Sequence, residues 1–169
     1  IEVWVTNKRG NYDQARNIVA LADLGESDGA HILNPTWAPA AGARSPYNKA
    51  NTLYETLSLD PRIRDIQQVS SVMQELSDME LGEAYEKVES ARLLNNGEYT
   101  LNAALGYISL KTALNQDEVL AVAYEYTYAG QVYQVGEFST DASESLKAPN
   151  ALMLKLLKST NNAPNQKGK

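Results

Sequence analysis

The stretch YEYTYAGQVYQVGEF, residues 124–138, constrains this chain more than any other. Its aromatic and aliphatic residues recur at every second position, the period of a strand with one face on a core. Ala129-Gly130 breaks the alternation where a two-residue turn has to sit, and glycine accepts the positive φ such turns require. Pairing Tyr128 with Gln131 then sets Tyr126 against Tyr133 and Tyr124 against Val135. With the preceding VLAVA included, one face carries Leu120, Val122, Tyr124, Tyr126, Tyr128, Tyr133 and Val135. The other carries Val119, Ala121, Ala123, Glu125, Thr127, Val132, Gln134 and Phe138.

Such a hairpin has three readings: a lipid-facing pair of barrel strands, an aromatic ligand-binding face, or part of a sheet packed on helices. Outer-membrane strands also alternate and carry aromatic girdles. Gln131 would interrupt the lipid-facing band, however, and most of the chain does not read as barrel wall. The packed sheet is therefore expected, with most of the tyrosine face buried and Tyr128, beside the turn, reaching solvent.

Other segments repeat the strand period. In IEVWVTN, Ile1, Val3 and Val5 alternate with Glu2, Trp4 and Thr6, and the position of Trp4 implies that both faces of this strand are covered. ARNIVALADLG predicts a second strand at 17–24, closed by Gly25. LGYISL predicts a third at 107–110. ALMLKLLKS fits either strand or helix, and strand is favoured. ARLLNNGEYTLN marks a hairpin or tight bend at Asn95-Asn96-Gly97.

Between these the period changes to 3.6. Ser45-Pro46 and Asp60-Pro61 are cap-plus-proline starts. Tyr47, Ala50, Leu53, Tyr54 and Leu57 form one stripe, and Ile63, Ile66, Val69, Met73 and Leu76 another. SDME at 77–80 reads as a capping box opening a third helix through Leu81, Ala84, Tyr85 and Val88. The expected fold is α+β: an antiparallel sheet or sandwich with a helical block at about 46–88 inserted between strands. One globular domain should span 1–160, with a Pro/Gly-punctuated loop insertion at 26–44 and a disordered polar tail at 161–169. The abrupt, strand-like start and the lack of a visible signal peptide suggest a fragment of a much larger protein.

Composition narrows the function. Twenty-one acidic against fifteen basic residues give a net charge of −6, which argues against a nucleic-acid partner. The absence of cysteine removes thiol nucleophiles and zinc–thiolate sites. No run approaches the ~20 apolar residues of a membrane helix. His31, the single histidine, lies in the loop with no nucleophile-elbow sequence elsewhere, so a solvated role is expected. Asp23, Glu26 and Asp28 in DLGESD lack regular calcium-loop spacing and read as a polar turn. Arg62 and Arg64 read as surface residues. GARSP is no phosphate loop, and no carboxylate pair stands out as a catalytic dyad. A non-enzymatic chain is expected, without catalytic, cofactor-binding or metal residues. Trp37, between prolines, and Tyr128, at the hairpin tip, are the candidate partner contacts.

Whole phrases go further. IEVWVTNKRG, ARNIVALADLGE, NTLYETLSLDPRIRDIQQV, LGYISLKTALNQDEVLAVAYEYTYAGQVYQVGEFSTD and LMLKLLKST resemble the SprA/Sov family, very large outer-membrane proteins of gliding motility and type IX secretion. The likeness runs from Ile1 to about Thr160 and is weak over 26–44. It implies a soluble segment inserted in a giant translocon, outside the pore wall, at the cell-surface or periplasmic side. Its implied partners are the rest of the parent protein, secreted cargo and accessory subunits, and the family supplies no catalytic residues. A glycan-binding module using a sheet face and the Trp37 loop is the alternative.

Overall fold

The computed structural model describes residues 1–26 and 51–161. The expected α+β class is observed, with the strands arranged largely antiparallel. Strands β1 (Glu2–Val5) and β2 (Arg16–Leu21) open the chain. Helix α1 (Leu53–Leu59), a 3-10 turn (Pro61–Arg64) and helix α2 (Val69–Gln74) follow. Then come β3 (Tyr85–Leu93), β4 (Tyr99–Asn102), β5 (Tyr107–Leu110), β6 (Leu120–Tyr128), β7 (Gln131–Val135) and β8 (Leu152–Lys158).

The main sheet runs β1-β3-β2-β8-β6-β7, and β1 also pairs with the first half of β6. Five of its strands therefore close on themselves, β1-β3-β2-β8-β6 and back to β1. All pairings in this ring are antiparallel except β2 with β8. A ring so small has little interior volume, and the sequence meets that limit with small residues. Trp4, Ile18, Val88, Leu152 and Leu154 fill the inside together with Ala20, Ala91, Ala121 and Ala123. The alanines leave room for the indole, which is fully buried. Its N–H donates to Glu2 at 3.1 Å, and Glu2 in turn accepts from the Ser139 hydroxyl at 2.8 Å. A bulge between β2 and β3, where Ser90 takes φ +51°, adds the bend that closure needs.

The outside of the ring is covered on two sides. Val19 and Leu21 of β2 and Met153 of β8 pack against Leu53 and Leu57 of α1, Ile63, and Val69 and Met73 of α2. Val3 and Val5 of β1 with Leu120 and Val122 of β6 pack against Leu94 and Tyr99, with Ile108 and Leu110 of the β4–β5 hairpin alongside. Residues 119–123 thus face protein on both sides. Beyond Ala123 the strand leaves the ring and continues as the β6–β7 hairpin.

The hairpin has the expected register: Tyr128 opposite Gln131, Tyr126 opposite Tyr133, Tyr124 opposite Val135. Ala129 and Gly130 take φ +49° and +79°, as the tight turn demands. The strand reading of 152–158 holds, and Trp4 has both faces of its strand covered. The expected sheet at 131–138 stops at Val135.

The helical block is smaller than the apolar stripes imply. Its start, 46–50, lies outside the described residues, as do the Ser45-Pro46 signal and the 27–44 part of the loop. The Asp60-Pro61 signal is real: the Asp60 carboxylate accepts from the Arg62 amide at 2.9 Å and opens the 3-10 turn. The third helix through Val88 does not form. Residues 77–80 make a turn in which Asp78 takes φ +62°, and Tyr85, Glu86 and Val88 belong to β3. The reason is tertiary: β3 is needed between β1 and β2 to close the ring. Asn95-Asn96-Gly97 is a bend between β3 and β4, which pair with other strands rather than with each other.

Closure predicts a low tolerance for volume. Ala121→Leu should cost about 1–3 kcal/mol in urea denaturation, as overpacked cores do. Unchanged stability would mean that the ring interior has spare room.

Candidate functional site

Two polar features and one groove bring chemistry-bearing residues together. The first is the buried carboxylate of Glu137, just past the end of β7, only 2% exposed. It accepts from both Arg64 terminal nitrogens, at 2.6 and 2.8 Å, from the Tyr54 hydroxyl at 2.8 Å and from the Met153 amide at 2.7 Å. The Glu137 amide donates to the Met153 carbonyl at 2.9 Å. Arg64 adds a bond to the Ala151 carbonyl at 3.0 Å. The carboxylate is thus saturated by four donors, and its role is to join α1, the 3-10 turn and β8 to the end of the hairpin. Burial, then the facing Glu137 carboxylate, push the Tyr54 hydroxyl far above its ordinary value. Arg64 is therefore no surface residue, contrary to the sequence reading. Arg62 is: it pairs with Asp60 and Glu75 at 2.6 and 2.7 Å on the outside.

Gly136 lets the chain reach this point. Its φ is +77°, and a Cβ there would lie 3.0 Å from the Val122 carbonyl oxygen and 3.1 Å from Ala123. A side chain there would both press on β6 and strain the backbone at this positive φ.

The second polar feature is a cleft of about 210 Å3 lined by Lys8, Arg9, Arg92, Glu98, Asn115 and Glu118. Its charges neutralise one another. Glu98 pairs with Arg92 at 2.8 Å and Arg9 at 3.2 Å, Lys8 pairs with Asp117, and Glu118 accepts from the Asn115 amide at 2.7 Å. The bonds from Arg92 and the Asn95 amide hold the Glu98 carboxyl below its usual range.

The groove is larger, about 940 Å3. Its floor is the even-numbered face of β6: Leu120, Val122, Tyr124 and Tyr126. One wall is the β4–β5 hairpin, with Leu101, Tyr107 and Ile108; the other is Lys155 and Leu157 of β8; Ile1 stands at the edge. Tyr126 stacks on its cross-strand partner Tyr133, centroids 5.5 Å apart, and tilts toward Tyr124 at 6.2 Å. Burial raises the Tyr124 hydroxyl's pKa, with Glu26 and Tyr126 adding to it. Burial and then Tyr133 do the same for Tyr126. Lys155 is committed to Glu26 and to the Ala22 carbonyl. Glu125, at the rim, has no hydrogen bond or ion pair among the described residues.

The tyrosine face is thus divided rather than mostly buried. Val122 and Val135 are buried and Tyr124, Tyr126 and Tyr133 are half-buried. Tyr128, expected as a contact, is 65% exposed at the hairpin tip. The helices expected against this face rest chiefly on β2 and β8, with Tyr124 and Tyr126 at their margin. Trp37, His31 and Asp28 lie outside the described residues. Asp23 is buried, accepting from the Gly25 amide at 2.8 Å and Asn51 at 2.9 Å, so the described part of DLGESD, residues 23–26, is a polar bend after β2, and Ser27 and Asp28 lie outside the described residues. Among the described residues no three His, Cys, Asp or Glu side chains are grouped to hold a metal, and no helix is long and apolar enough to cross a membrane. The sequence reading missed Glu137. Its one signal was a lone carboxylate at the end of an apolar hairpin, two arginines away in the 3-10 turn.

Compared with known proteins, the chain matches no family model and no curated protein.

Removing Glu137 tests the hub. Glu137→Ala leaves Arg64 buried without its counter-ion and should cost about 3–5 kcal/mol in urea denaturation, far more than Arg62→Ala. Equal losses would refute the hub. The hub also predicts an alkaline effect. The Tyr54 pKa is raised on folding, so its contribution is present below the unfolded value of about 10 and is lost as pH rises past it. Between about pH 9 and pH 11 the native chain should lose more stability than Tyr54→Phe. Parallel losses in the two proteins would show that the hydroxyl is not held in this way.

Proposed function

We propose that the chain is a non-enzymatic structural domain of a SprA-like outer-membrane secretion pore, shaping or capping the channel and contacting cargo or partner subunits in type IX secretion and gliding motility. One observation carries this reading. Most of the residues that line the groove lie in phrases that resemble the SprA/Sov family: β5, β6 and β7 lie in the long phrase 105–141, β8 in LMLKLLKST, and Ile1 in the first. The helical phrase supplies Tyr54 and Arg64, which fasten the hairpin end to the body. The resemblance thus covers four of the five ring strands and most of the apolar, aromatic groove that the ring presents. A groove with half-buried tyrosines and few free charges suits contact with another polypeptide better than chemistry on a small polar substrate.

Two measurements test this. An antibody against the chain should detect it within a much longer polypeptide of the outer-membrane fraction. In cells carrying that polypeptide, Tyr126→Ser should lower surface delivery of secreted cargo at least tenfold with the polypeptide's own level unchanged. Detection at the chain's own length outside the outer membrane would defeat the translocon reading, and undiminished delivery would remove the groove from it.

A further inference from the structure

β3 ends at Leu93, and the chain turns through Asn95, Asn96, Gly97 and Glu98 to enter β4. The turn is clamped at its two ends. The Glu98 amide donates to the Asn95 carbonyl at 2.9 Å, and the Glu98 carboxylate accepts from the Asn95 amide at 3.0 Å. Neither bond uses the two residues between. Asn96 and Gly97 are both exposed, and the Asn96 side chain and the Gly97 amide make no hydrogen bond among the described residues. A Cβ added to Gly97 would meet nothing within 4 Å. Other asparagines are committed. Asn17 binds the Pro149 carbonyl and the Ser90 amide, Asn51 binds Asp23 and the Leu53 amide, and Asn102 binds Tyr107 and the Leu105 amide.

An asparagine followed by glycine holds a complete reaction in two adjacent residues. The Gly97 nitrogen, on losing its proton to solvent, attacks the Asn96 Cγ. The bond from Cγ to the side-chain nitrogen breaks, ammonia leaves, and a five-membered succinimide forms. Water then adds to one of the two ring carbonyls. Opening on one side gives an aspartyl residue. Opening on the other gives an isoaspartyl residue, whose main chain runs through the former side-chain methylene. Glycine favours the attack because no Cβ shields its nitrogen and its backbone is the least restricted. The reacting atoms are covalent neighbours, so the reaction needs neither a vacant edge nor a second chain. The described residues stop at Glu26 and Asn161 and resume at Asn51. All three lie by the Tyr85 end of β3, through Lys155, Gly82 and Asp23, whereas the turn follows Leu93 at the other end. Ile1 lines the groove, while Glu98 holds the turn toward Arg9, past the far end of β1.

We propose that Asn96 is a site of spontaneous covalent modification, and that its conversion to isoaspartate releases the β3–β4 turn. The two clamping bonds span a fixed number of backbone atoms. The isoaspartyl link adds one carbon to that span and sets a new carboxylate beside Glu98. Glu98 pairs with Arg92 at 2.8 Å and Arg9 at 3.2 Å, and its carbonyl accepts from the Lys111 amide at 2.9 Å. Its displacement therefore reaches both the charged cleft and the β4–β5 hairpin. The proposal is independent of the role of the groove.

Incubation of the full chain at mildly alkaline pH should add one dalton to the peptide containing Asn96 and make it a methyl acceptor for an isoaspartyl methyltransferase. Peptides containing Asn17, Asn51 and Asn102 should stay unchanged. The folded chain should react at more than a tenth of the rate of the same chain unfolded in urea, because nothing in the turn withholds the Gly97 nitrogen. Gly97→Ala places its methyl in open space, so it should keep the fold and slow the reaction at least tenfold. In the isoaspartyl form, hydrogen exchange at the Asn95 and Glu98 amides should speed at least tenfold, with Val19 and Leu154 little changed. No mass gain at Asn96, equal gains at the three other asparagines, a folded rate below a tenth of the unfolded one, or an unslowed Gly97→Ala each overturns the site. Unchanged exchange at Asn95 and Glu98 overturns the release of the turn. Should Gly97→Ala fail to fold, the comparison of folded and unfolded unaltered chain still decides the matter.

Discussion

The buried Glu137 carboxylate is the interaction on which the rest of the fold depends. The hairpin β6–β7 ends at Val135, and the chain must then leave β6 so that β8 can take the neighbouring place and complete the ring. Gly136 makes that departure sterically possible. Glu137 makes it a fixed geometry, because its backbone and side chain both bind Met153 at the head of β8. Arg64 and Tyr54 bring the helical segment to the same point. A charge at this depth is tolerated because four donors replace the water it lost. Such a site favours one arrangement over others more than it adds net stability, since an unpaired Arg64 or Glu137 in any shifted packing would be strongly penalised.

Ring closure imposes the second constraint. Five strands enclose room for one indole and a few aliphatic side chains, so the inward positions of β6 have to be alanine. Its outward positions are Leu120 and Val122, which need the β4–β5 hairpin to cover them. The continuous apolar run VLAVA thus has a simple cause: among the described residues it has protein packed on both faces of the strand.

The hairpin was legible because its signals are local. A two-residue turn fixes the register, and the period-2 pattern fixes the faces. The strand at 107–110 and the Asp60-Pro61 start were legible for the same reason. The segment 77–88 misled because Leu81, Ala84, Tyr85 and Val88 fit a helical stripe while the real determinant is distant. β3 is placed by β1 and β2, and its charged Glu86 is buried against the C-terminal chain, accepting from the Thr160 amide at 2.7 Å and its hydroxyl at 2.6 Å. A carboxylate inside a strand reads as a solvent face until the donor 74 residues later is known. Closure itself was invisible for a related reason. Alternation describes one strand's faces and contains nothing about whether the first and last strands of a sheet meet. The groove was only half legible: the tyrosines that form its floor could be assigned to one face, but its walls come from β4–β5 and β8, which pairing alone brings alongside.

The same strand therefore does two jobs that usually fall to different elements. Its first half is held in the ring by partners on both edges and both faces, which makes it one of the most constrained parts of the chain. Its second half keeps that strand's straight backbone and regular spacing, and among the described residues it pairs with β7. Rigidity is thus transmitted along a covalent strand into a partly open surface, without any need for a separate brace. A projecting hairpin anchored only at its turn would be a marginal structure in water. Here the anchor lies at the opposite end, in the ring and at Glu137, and the turn at Ala129-Gly130 is exposed among the described residues. Of the half-buried side chains along this projection, Tyr126 stacks on Tyr133 and tilts toward Tyr124. These ring contacts stiffen the hairpin beyond what its backbone ladder alone supplies.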